Sequence, residues 1–158
     1  FFVSCWHKND HESAAMWHLY GSEGDALAIQ SRFSNLVSTL PSYVNVGLVR
    51  YLDYDRQTIP KGNSFNAIMH KRKSFEHEAE VRAIAWEPLA EELGGDVIRR
   101  SMTSTGLPIP VDLESLAEMI YVHPTAPSWY AETVRDLVKQ RGLAVAVEQS
   151  KLWADPLW

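Results

Sequence analysis

What this chain is short of narrows it first. Its one cysteine in 158 residues, Cys5, cannot close an internal disulfide, and a reducing, cytoplasmic setting is expected. No apolar run approaches the roughly 18 residues needed to cross a bilayer, so no membrane role is expected. Basic charge is in deficit: fifteen Lys and Arg against twenty Asp and Glu leave a formal charge of -5. A chain of that sign does not grip nucleic acid generally through its phosphates, though a small local basic patch stays open. There is no glycine-rich loop, no closely spaced cysteine pair, no internal repeat and no low-complexity tract. The chain opens inside the apolar run Phe1-Phe2-Val3-Ser4-Cys5-Trp6 with neither an initiator Met nor the charged start of a signal peptide, so sequence upstream is expected.

What is present is ordinary globular material. An apolar fraction of 46% with 22% charged residues fits a single folded domain over residues 1–158, large enough to bury about two-thirds of its unfolded surface. The pattern predicts an α+β fold: a mixed central sheet with flanking helices and a C-terminal β-α-β unit. Residues 1–6 read as a buried strand. Asn9 with Glu12 forms a capping box for a helix over 10–20, with Gly21 in the left-handed stop position. A short strand over 24–30 and a helix capped by Ser31 and ended by Pro41 follow, then a long strand over 44–54 and a loop around Pro60-Lys61-Gly62-Asn63. Helical spacing starts at Ser64 and gives way after Glu78 to a strand over 79–86, apolar on both sides and therefore central. Beyond Pro88 come a short helical piece, a Gly94-Gly95 break, a hairpin over 96–111 and a helix from Asp112. Strand 119–122, helix 127–141 stopped by Gly142, and strand 143–147 close the chain. The aromatic tail from Trp153 to Trp158 packs back on the domain or mediates oligomer formation.

Alternation along strand 79–86 puts Glu78, Glu80 and Arg82 on one face ahead of Ile84 and Trp86. Charges at the start of a central strand are costly unless paired or used. Glu78 and Glu80 are therefore the candidate catalytic carboxylates, with Lys71, Arg72 and Arg82 as phosphate-holding cations. A structural ion-pair ladder is the competing reading. On helix 10–20, Trp17 and Tyr20 are candidate stacking residues for a base or ring, or simply core aromatics. Cys5, His7, His11 and His18 carry ligand chemistry without the spacing of a compact metal site, so no metal is assigned. His123-Pro124, at a strand end before a helix, is a place that favours an anion.

Read in order, Val3-Ser4-Cys5-Trp6, Glu12-Ser13, Met16-Trp17 with Tyr20, residues 26–29, Lys71-Arg72, Phe75-Glu76, Glu78, Glu80, Arg82, residues 120–124 and Ser150-Lys151-Leu152 resemble the family catalogued as domain of unknown function 2971, uncharacterised bacterial proteins. The resemblance spans nearly the whole chain and implies a further segment ahead of the Ser-Cys strand. It confers no activity by itself.

Two functions compete. One is a small enzyme acting on a nucleotide or another phosphorylated small molecule, with Glu78 or Glu80 as base. Glu78-Ala79-Glu80 is similar to the Glu-x-Glu arrangement of ADP-ribosyltransferases, although strand 1–6 offers no Arg or His and no Ser-Thr-Ser strand precedes Glu78. The other is a non-catalytic binding or protein-interaction module. No cofactor is specified by the residues.

Overall fold

The computed structural model describes residues 1–21, 24–86 and 106–154. Its strands sort into three small sheets instead of one central sheet. Strand β1 (Phe2–His7) leads into helix α1 (Ala14–Tyr20), strand β2 (Leu27–Gln30), helix α2 (Phe33–Thr39), and strands β3 (Val44–Leu48) and β4 (Arg50–Leu52). Helix α3 (Asn66–Met69), strand β5 (His70–Arg72), a 3-10 helix (Lys73–Glu78) and strand β6 (Glu80–Ala85) follow. Helix α4 (Leu113–Leu116), strand β7 (Met119–Val122), helix α5 (Ser128–Gln140) and strand β8 (Ala146–Gln149) complete the order. The class is α+β, with antiparallel and parallel pairing both present. The expected piece after Pro88, the Gly94-Gly95 break and most of the 96–111 hairpin lie outside the described residues, as does the tail from 155 onward.

Two compact units emerge, one of Phe1–Asp10 with Pro41–Ile109, the other of His11–Leu40 with Pro110–Trp158. In the first, β6 lies between β1 and β3 in an antiparallel sheet, and β4 pairs parallel with β5. β6 is central as its two-sided apolar pattern requires: Val81, Ala83, Ile84 and Ala85 are all buried. The expected long strand 44–54 is two strands in different sheets, divided at the buried Val49, whose N–H donates to the Glu80 carbonyl. An unbroken apolar run carries no local mark of that change of partner.

In the second unit β2 pairs antiparallel and β8 parallel with β7, and α5 connects β7 to β8. This is the expected C-terminal β-α-β unit. Val122, Ala126, Ala131 and Val134 form its core, with Ile120, Tyr130, Val138 and Val147 packed against them. Leu137, on the same helix, is 51% exposed.

Three caps differ from expectation. Helix α1 starts a turn late because Ser13, not Asn9, caps it: the Ser13 hydroxyl accepts from the Met16 N–H at 3.4 Å, while Glu12 turns to the Trp17 indole. Gly21 does stop the helix, but at φ -137, outside the left-handed region. Close packing is what requires glycine there, since a Cβ would lie 2.7 Å from that of Ala26. Ser31 does not cap α2; its hydroxyl donates to the Leu116 carbonyl at 2.6 Å.

Candidate functional site: a buried cluster of four charges

The site is built where β5, the 3-10 helix and β6 follow one another. The switch expected at Glu78 is there, where a 3-10 helix ends, but Ala79 does not begin the strand: it takes φ 41, ψ 52, a left-handed conformation rare for a residue with a Cβ. That turn lets Glu78, at the end of a helix, and Glu80, at the start of a strand, reach one cation. The Lys71 ammonium donates to the Glu78 carboxylate and, at 2.6 Å, to Oε1 of Glu80. Arg82 Nε donates to the other Glu80 oxygen, Oε2, at 2.6 Å. The Arg82 guanidinium also donates to the Ile68 carbonyl, and the Glu80 N–H donates to the Tyr51 hydroxyl at 2.8 Å.

Glu78 and Glu80 are each only 7% exposed, so the solvation lost by the carboxylates has to be replaced by these bonds. The ionisation equilibria follow. Burial pushes the Glu80 carboxyl up, but the bonds from Arg82 and Lys71 outweigh it and hold the group down at about 2. Burial alone would lower Lys71 and Arg82, and their carboxylate partners raise both. The Tyr51 hydroxyl is raised by burial and by the nearby Glu80 and Glu78 charges. Lys71 also lies 5.0 Å from the centre of the Phe75 ring.

Two residues that sequence reasoning set aside stand beside this cluster. Antiparallel register places Cys5 opposite Arg82 and His7 opposite Glu80. The His7 Nδ1–H donates to the Glu78 carbonyl at 2.6 Å, while its Nε2 is buried without a partner among the described residues. Partial burial and the charge of Glu80 raise the Cys5 thiol. The available signal was the matching two-residue spacing of Cys5 with His7 and of Glu80 with Arg82, which carries meaning only once the strands are known to pair.

The remaining candidates lie elsewhere. Arg72 is exposed, its guanidinium 4.8 Å from the centre of the Tyr54 ring. Trp17 and Tyr20 belong to the second unit, not the first. Trp17 is a core aromatic, 7% exposed, its indole N–H donating to Glu12 at 3.0 Å and its ring edge-on to His123 at 5.2 Å. Tyr20 is 69% exposed. His123 is buried, and its Nδ1 accepts from the Thr125 N–H at 3.2 Å, so the place expected to favour an anion holds a packed histidine. Among the described residues no three His, Cys, Asp or Glu side chains gather as metal ligands, and no helix is long and apolar enough to cross a membrane. No family model, no curated protein and no solved structure matches the chain.

Proposed function

We propose that this chain is a non-catalytic binding or protein-interaction module in which the Lys71, Glu78, Glu80 and Arg82 cluster acts as a structural clamp. We propose also that it belongs to the domain of unknown function 2971 family, on the order of the landmarks set out above. The observation that carries the functional reading is the commitment of both Glu80 oxygens, one to each cation. A carboxylate so engaged, with its pKa held at about 2, is a weak general base near neutral pH. Lys71 and Arg82 are likewise engaged with these carboxylates, so their charge is already compensated where an enzyme acting on nucleotides needs it for a phosphate. Surface for a partner is available: on α2, Phe33 and Val37 sit four residues apart, 56% and 45% exposed.

Phosphorus NMR of the purified chain with ATP and with NAD tests this reading. The expected result is no conversion, with Glu80→Gln lowering the thermal midpoint. Conversion that Glu80→Gln abolishes while the variant stays folded overturns it in favour of the enzyme.

A further inference from the structure

The face of β5 turned away from the cluster carries a second constellation. Tyr51 and Lys71 are register partners in β4 and β5, and both point toward Glu80. Side chains alternate along a strand, so Arg50, Leu52, His70 and Arg72 share the opposite face. Leu52 and His70 are buried there, 8% and 7% exposed, while Arg50 and Arg72 are exposed. The two arginines are diagonal neighbours, with Cα atoms about 8 Å apart from a strand spacing of about 4.8 Å and a rise of about 3.3 Å per residue.

Neither arginine forms an ion pair among the described residues. Residues 50–73 hold six Lys and Arg against two Asp, a net charge of 6 - 2 = +4, whereas the rest of the chain holds nine against eighteen, or -9. One of those two acids, Asp53, is already paired with Arg56 at 3.6 Å. His70, the register partner of Arg50, shares this face; its Nδ1–H donates to the Asn66 carbonyl at 2.7 Å and its Nε2 is buried without a partner among the described residues. The Arg72 guanidinium lies over the Tyr54 ring, 4.8 Å from its centre, a contact that helps hold the fork in place.

We propose that Arg50 and Arg72, with Tyr54 behind Arg72, bind the phosphate group of a small molecule. Two like charges on neighbouring strands repel each other, and a doubly negative group between them relieves that repulsion. Guanidinium forks match phosphate oxygens in pairs, which favours phosphate over a singly charged carboxylate. A small ligand fits better than a nucleic acid, because the basic character stops at residue 73 and the remainder of the chain is strongly acidic. The site is on the other face of β5 from the clamp and does not depend on how the clamp is read.

Titration of the 15N-labelled chain with pyrophosphate and with AMP, at two salt concentrations, tests the site. Saturable shifts centred on residues 50, 54 and 72 are expected. Arg50→Gln and Arg72→Gln, both exposed and so not expected to unfold the chain, should each weaken binding at least tenfold. Arg72→Lys should not restore it, since an ammonium lacks the stacked fork. Lys139→Gln, an exposed cation in the second unit, should leave affinity unchanged, and Glu80→Gln, if folded, should still bind. The proposal is overturned by an absence of saturable shifts, by equal loss in Lys139→Gln, or by binding of a single-stranded oligonucleotide or an anionic vesicle when neither pyrophosphate nor AMP binds.

Discussion

The two units solve the same problem of burial with different materials. The first places four charged side chains around β5 and β6 and neutralises them internally. The second, around β7 and α5, buries Val122, Ala126, Ala131 and Val134, none of which needs a partner to be tolerated. Hydrocarbon loses stability in proportion to what is removed, whereas an ion pair that loses one member leaves an uncompensated charge behind. The units should therefore fail differently.

The largest expected effect comes from breaking the clamp. Lys71→Ala strands Glu78 and Glu80 with no ammonium and should destabilise the first unit by about 3–5 kcal/mol; hydrogen exchange should show the loss at β1, β3 and β6 before β7 and α5. Acid should do the same more gradually. The folded Glu80 carboxyl sits below its unfolded value, so its stabilisation is present above about pH 4.5 and is lost as pH falls toward 2. That loss is on the order of 3 kcal/mol, and acid titration followed by amide exchange should open the first unit while the second, apolar core holds. If both open together, the difference drawn between them is wrong. In the second unit Val134→Ala should cost about 2 kcal/mol with no added pH dependence, measured by urea denaturation at pH 7 and pH 4. The smallest effect tests the turn at Ala79: Ala79→Gly removes a Cβ from a left-handed residue and should change stability by less than about 1 kcal/mol, in the stabilising direction.

How far the sequence disclosed this depends on whether the signal was local. Helix α5 was legible because Pro127 and Gly142 bracket it, and Gly142 does take the left-handed stop, at φ 71. Asp112 was legible for the same reason, its carboxylate accepting from the Glu114 and Ser115 amides. The start of α1 was misplaced because Asn9 and Ser13 are both good caps four residues apart, and the Trp17 indole, which competes for Glu12, speaks only in the folded chain. Division into three sheets is a matter of partners distant in sequence, about which alternation is silent. At the site, the common face of Glu80 and Arg82 followed from strand alternation. The left-handed alanine that brings Glu78 in did not, since nothing in a side chain as plain as Ala79's announces it. Nor did the face shared by Arg50, His70 and Arg72, which exists only because β4 and β5 run parallel in that register.

The interleaving of the units has a consequence for synthesis. The chain passes from one unit to the other after residues 10, 40 and 109, so neither is a continuous stretch that could be finished and set aside. β1 finds its partner only when β6 has been made, Phe2 waiting for Ala85. At about 5–20 residues per second that is roughly 4–16 s during which Phe2-Val3-Ser4-Cys5-Trp6, a strand without formal charge, stands unpaired in the nascent chain. An unpaired segment of that kind invites pairing with its like on a neighbouring ribosome, which makes residues 2–6 a place where a chaperone would act.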